Sequence, residues 1–526
     1  MKYLNGLALV ATTLLLGGAP ADAANFRWGA DSDPGTMDPH SRNVTPTTSF
    51  LSNIYEPLVR RSRDMKLEGA LATSWASTGP ETWRFNLRKD VKFHDGSPFT
   101  ADDVIFTVAR TRGPGSALAG VLASVADVKK VDDFTVDFIT KGSNPILPFE
   151  FLGWLMMSKK WAETNNVTQA TNLASQQATY ASTNANGTGP FKLKSRLADA
   201  TATLEKNPGW WDKVEHNLDT VTFNPLANPA TRVAALVSGE VDMIYGLPVS
   251  AVSQVQARPN LKVIKGPEMR TMYFGMDMSR PELIDGNIKG KNPFADKRVR
   301  EAVRIAIDAE AIHNVVMRGF GVVNYLMAGP GVEGFDPALN VKPAGDLATA
   351  QKLMADAGYA GGFETGMDCS NDRFMNDEQI CTAVVSMLAR INIKVKLRTQ
   401  PFSSYVKLIN PPYETSLFYV GWGGATGDAH NYLINLMVSR APGSPRGLFN
   451  VGGYSNPEVD KLTDQIQVEL DPAKRRTMIG QALKLVRDDV PYVPIMQQVI
   501  VWAAKDNIDL VQPSDAYFPL RYVRVR

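Results

Sequence analysis

The chain has 526 residues, 44% hydrophobic and 21% charged, which is ordinary globular usage and excludes wholesale disorder. Lys+Arg at 56 against Asp+Glu at 54 leaves a formal charge of +2, too balanced for a surface that tracks a polyphosphate backbone. Two cysteines and five histidines argue against a disulfide-dense scaffold, a four-cysteine zinc site and a His-rich metal centre.

Lys2 precedes a mostly apolar run from Leu7 to Leu16, then Gly17, Gly18, Pro20 and the small-x-small triplet Ala21-Asp22-Ala23. That order predicts a cleaved signal peptide over 1–23. The apolar run is far short of the about 20 residues needed to span a bilayer. No cysteine lies near the cut, so a periplasmic product without a lipid anchor is expected.

In the mature chain, Trp83, Phe85 and Leu87 alternate with Arg84, Asn86 and Arg88, predicting a strand. Thr100, with Asp103 three residues on, predicts a helix start. Phe134, Val136 and Phe138 alternate as another strand. The Thr/Asn/Gln/Ser/Ala-rich stretch 163–188 reads as surface. Val233, Leu236 and Val237 mark a helix closed by Gly239, and Val241, Met243 and Tyr245 a strand. Later, Val299, Ala302, Val303, Ala306 and Ile307 form one apolar stripe behind Asp296. Asn376 opens a helix through Ile391, Ile393 to Leu397 follow as a strand, and Asp471-Pro472 starts another helix. Strand and helix alternating over this length predict a mixed α/β fold.

Cys369 falls just past a predicted strand and Cys381 in the first turns of the next helix. An oxidising compartment favours a bridge between them; two separately buried thiols are the alternative.

No G-x-S-x-G, H-E-x-x-H, G-x-x-x-x-G-K-[ST] or C-x-x-C is present, so the common reaction classes find no foothold and no cofactor is indicated. His94-Asp95-Gly96 reads as a turn, since neighbours in a strand point to opposite faces. Asp428 and His430 fall short of a metal-ligand set. Trp210-Trp211 reads as the edge of a core. The segment Gly421 to Asp428 stands out: its glycines allow close backbone approach to a ligand, and Trp422 offers a large apolar face with one N–H. A glycine-rich turn with Trp422 in the core is the equal alternative.

Several blocks, taken together, resemble the peptide/nickel/opine group (family 5) of substrate-binding proteins of ABC importers. They are Leu71 to Trp75, Trp83 to Arg88, Val91 to Val104, Gly187 to Phe191, Asp296 to Asp308, Ala355 to Tyr359 and Tyr454 to Leu462. The resemblance spans about Asp33 to Ile495. It implies a two-lobed periplasmic-binding-protein fold (type II-like, cluster C) with an extra subdomain in the first lobe. The first lobe is expected over 24–267, the second over 268–497, with 498–526 returning to the first. The implied function is enclosure of a peptide-like or similarly sized polar solute and its delivery to the importer's membrane permease subunits. The implied receptor is a monomer that binds no nucleic acid. An opine, an oligosaccharide or a nickel complex is the alternative solute, and an exported hydrolase the rival class. Carried over by position, the ligand-facing residues are Gly421, Trp422, Gly423, Gly424, Ala425 and Asp428 in the second lobe, with Arg373 on a strand–helix loop. Val44, Thr45 and Trp154 are the first-lobe candidates. Dipeptide binders of the group carry an aspartate for the ligand's ammonium where this chain has Ala425.

Overall fold

In this computed structural model residues 24–173, 178–371, 373–424, 426–441 and 446–526 are described. The predicted signal peptide and Ala425 lie outside them. No described helix is long and apolar enough to cross a membrane.

Two long antiparallel strands, Leu261–Met276 and Tyr492–Lys505, form the spine. Their apolar runs are buried on both faces over much of their length, as β-branched and aromatic residues favour in a central strand. Leu261 to Pro267 pairs with Val499 to Lys505; Thr271 to Gly275 pairs with Tyr492 to Gln497. Between these stretches the ladder breaks, leaving Glu268, Met269 and Arg270 opposite Gln498.

The break divides one large sheet into two lobes. On one side the sheet continues through Met243–Ile244, Ala24–Ala30, Leu218–Pro225, Thr201–Lys206 and Phe191–Leu197. On the other it continues through Leu417–Gly423, Phe363–Ser370 and Ile393–Gln400. Each lobe has its own core. Trp28, Phe50, Phe223, Trp502 and Phe518 anchor the first, with Trp28 edge-on to Phe223 at 4.9 Å. The second is built on strands and helices of 261–503 and also takes in Val233, Leu236, Val252 and Val255 from helices Pro229–Ser238 and Val249–Gln256, so it runs past the break.

The first lobe carries a subdomain built on the antiparallel sheet Ala72–Gly79, Thr82–Leu87, Thr135–Thr140 and Val125–Asp132. Helix Ala101–Arg112 packs on it, and a capping box formed by Thr100 and Asp103 satisfies its first N–H groups.

The helices starting after Asp296 and Asp471 are present, each aspartate accepting from backbone N–H groups of the first turn. Helix Asp377–Ala389 follows Asn376, whose φ of 53° is left-handed. A disulfide joins Cys369, in strand Phe363–Ser370, to Cys381 in that helix. The strand expected over 241–245 shrinks to Met243–Ile244.

The polar stretch 163–188 is largely exposed up to Leu173, as expected, but Val167, Ala170 and Thr171 are buried. Asp38, Arg110 and His40 form a buried polar cluster there, and the stretch supplies its partners. Arg110 donates twice to Asp38 at 2.7 Å, to His40 Nδ1 at 2.8 Å and to the carbonyls of Val167 and Gln169. Thr171 donates both N–H and hydroxyl to Asp38 and is itself buried. The requirement that a buried charge be fully bonded draws the backbone around Val167 to Thr171 inward within a stretch otherwise largely exposed up to Leu173.

Candidate functional site

A cavity of about 590 Å³ lies between the lobes. Its first-lobe wall comes from helix Thr45–Leu51, the loop around Arg61, residues near Gly153 and the C-terminal segment 511–522; Glu268 to Arg270, Gly423, Gly424 and Thr426 face them. The ladder break thus opens directly into the cavity.

Val44 and Thr45 line it, Val44 being 41% exposed, as do Gly423 and Gly424. Trp422 sits behind that wall: its indole N–H donates to Asn431 at 2.9 Å and its ring lies 4.9 Å from Phe449. Gly421 is buried against Arg270, and a Cβ there would collide with Met272. Asp428 is fully buried; it caps helix Ala429–Tyr432 and pairs with Arg475. These three hold the loop that Gly423 and Gly424 present to the cavity.

Arg373 stacks near the rings of Phe374 and Phe402 at 5.5 and 5.7 Å. Burial pushes its pKa down, Arg270 adds to that, and Glu268 opposes it, but Arg373 is not among the residues that line the cavity. Trp154 belongs to the subdomain core: it is fully buried, packs on Phe151 at 4.9 Å, and donates to Thr111 at 2.9 Å. The resemblance offered it as a first-lobe contact, but its apolar ring places it under the wall formed by Leu152 and Gly153.

The lobes touch through Arg61, whose Nη2 donates to the Thr426 carbonyl at 3.1 Å while Nη1 donates to Met65 at 2.7 Å. Gly427 makes this approach possible; its φ is +67° and a Cβ would strike Arg61. Ser143 Oγ donates across to the Val468 carbonyl at 2.7 Å.

The remaining charges form two classes. Arg60 is bonded to Glu68 at 2.8 Å and to Asp212, Arg63 to Glu215 at 2.9 Å, and Arg270 to Glu268 at 3.1 Å. Glu56 is buried, which pushes its carboxyl up; Arg60 and the N–H groups of Trp211 (2.7 Å) and Trp210 (3.1 Å) hold it. The tryptophan pair therefore closes a core edge and also neutralises a buried acid. Arg61, Arg521 and Asp515 are different: none has an oppositely charged side chain within 4 Å among the described residues. In the sequence only the basic run Arg60-Arg61-Ser62-Arg63 hinted at this wall; nothing local marks Asp515 or Arg521.

His94 bonds the backbone of Gly187 and Gly189 and serves the turn. No group of three or more His, Cys, Asp or Glu side chains among the described residues is placed to hold a metal ion.

Residues 66–443 match the family described as bacterial extracellular solute-binding proteins, family 5 (its middle region). The chain belongs to this family. The family-5 chain is 25% identical over 510 residues to the glutathione-binding protein GsiB of Shigella boydii, covering 95% of itself and 94% of that protein. It also superposes on HbpA2 from Haemophilus parasuis with a TM-score of 0.82, at 23% identity and covering 96% and 100% of the two chains. The periplasmic DppA of Helicobacter pylori, solved with the peptide STSA, gives a TM-score of 0.70 at 24% identity, covering 96% and 98%. The family-5 fold of two lobes therefore accounts for nearly the whole chain, and the inter-lobe cavity is the place where such a fold encloses a solute.

Proposed function

We propose that this receptor encloses a short peptide-like solute between its lobes and delivers it to the permease of an ABC importer. The observation that carries this reading is the inter-lobe cavity of about 590 Å³ with charges of both signs on its wall. That volume suits a small polar solute rather than a long chain. Enclosure strips water from the solute, so its charged ends need partners, and Arg61, Arg521 and Asp515 retain bonding capacity for them. The glutathione-binding and peptide-bound relatives support the same class.

On this reading residues 24–267 and 498–526 form the first lobe and 268–497 the second, and filling the cavity shifts the lobes toward closure. The protein works as a monomer in the periplasm after removal of 1–23, without a lipid anchor, and performs no chemistry on its solute.

The test is a thermal-shift screen of ligand-stripped mature protein against dipeptides, tripeptides including glutathione, opines, oligosaccharides and Ni(II)–histidine. A peptide at a hundredfold excess over its Kd should stabilise the protein by ~2.7 kcal/mol. Stabilisation by a non-peptide class alone would reassign the solute, and no stabilisation by any class would sink the receptor reading.

A further inference from the structure

Four acids line the cavity, and their bonding separates one from the rest. Glu56 is held by both tryptophan N–H groups, Thr188 and Arg60. Glu150 accepts from Ser124 at 2.8 Å and Asn144 at 2.9 Å. Glu268 accepts from Arg270 at 3.1 Å and Gln498 at 2.9 Å. Asp515 accepts only the Tyr517 N–H at 3.0 Å among the described side-chain contacts, although a carboxylate has about four acceptor sites.

The same accounting separates the cavity's arginines. Arg60, Arg63 and Arg270 are matched by carboxylates. Among the described residues Arg61 donates only to carbonyls; Arg521 lies 4.7 Å from the Tyr522 ring and donates to the Arg61 carbonyl at 3.0 Å, which sets the two guanidinium-bearing residues side by side. Both lie within electrostatic reach of Asp515. One open anion and two open cations thus share one corner of the first-lobe wall. An ordinary peptide separates its ammonium from its carboxylate by its whole length. An α-amino-acid head carries both on one carbon.

We propose that Asp515 takes the ammonium, and Arg61 with Arg521 the carboxylate, of an α-amino-acid head, as presented by a γ-glutamyl-type solute. This rests on the receptor reading above and narrows its solute class. It also supplies the ammonium partner that Ala425 cannot provide.

The experiment is calorimetric titration of the mature wild type and Asp515→Asn with glutathione, its N-acetyl derivative and its α-linked Glu-Cys-Gly isomer. Asn keeps the acceptor for the Tyr517 N–H while removing the charge. Wild type should bind glutathione at least about tenfold tighter than either analogue, because each leaves one charged group unmatched. Asp515→Asn should erase the preference over the N-acetyl form. Equal wild-type affinity for glutathione and N-acetylglutathione overturns the assignment, as does an Asp515→Asn loss that is the same for both. Wild type that binds other peptides but not glutathione overturns this inference and leaves the receptor reading standing; wild type that binds nothing in the panel overturns both. The wild-type comparison needs no variant, so misfolding of Asp515→Asn leaves the proposal open to refutation.

Discussion

Arg475 grips Asp428 with both arms of its guanidinium, Nη1 to Oδ2 at 2.6 Å and Nη2 to Oδ1 at 2.8 Å, and both side chains are buried. The pair ties the end of the glycine loop to helix Pro472–Asp489, 47 residues away in sequence. Removing one partner leaves an unmatched buried charge, a loss of about 3–5 kcal/mol. Arg475→Met should therefore lower the urea midpoint strongly and weaken solute binding through the displaced loop. A variant with unchanged stability would mean that the pair contributes nothing net.

Gly427→Ala tests the contact between lobes. A left-handed φ costs a residue with Cβ about 1–2 kcal/mol, and that Cβ also strikes Arg61. The expected result is weaker solute binding than the stability loss alone predicts, since the contact joins the two lobes. Titration calorimetry beside thermal melting separates the two effects.

Four histidines, His40, His94, His216 and His430, are pushed down to about 4 by burial. In the unfolded chain they titrate near 6.5, so between about 6.5 and 4 the unfolded state binds more protons. Stability is then complete above the unfolded value and is lost as the pH falls toward 4. Each histidine costs at most about 1–2 kcal/mol by pH 5. Glu56 and Glu150, raised by burial, oppose this at the acid end, because their folded state holds protons more firmly. Urea midpoints should fall between pH 7 and pH 5; a flat profile contradicts the burial argument.

Reducing the Cys369–Cys381 disulfide opens a loop spanning 12 residues of sequence separation. Loop-closure entropy puts the loss at about 2–3 kcal/mol. Reductant should therefore lower the melting temperature and loosen the loop that carries Arg373. An identical melt in reductant, with thiols shown free by mass spectrometry, would rule this out.

Elements defined by neighbours in sequence were readable from it. The capping box at Thr100, the aspartate caps at 296 and 471, and the alternation in Thr82–Leu87 need only three or four residues to be recognised. Positions set by topology were not. Arg61 and Asp515 lie 454 positions apart and line one cavity because the chain returns to the first lobe at its end. Thr171 is buried because Asp38 demands donors, and no local pattern encodes that demand. The glycine loop was half legible: Gly423 and Gly424 face the cavity, while Gly421, Trp422 and Asp428 fasten it from behind.

The break in the paired strands has a mechanical meaning. Glu268, Met269 and Arg270, the residues released from the ladder, also floor the cavity. With the hinge proposed here at the break, the place that bends and the place that is filled are the same three residues. On the closure proposed above, a solute acts on the pivot itself, and a small local adjustment there becomes a larger displacement at the far rims. Those rims, rather than the pocket, are where a membrane partner can tell a loaded molecule from an empty one.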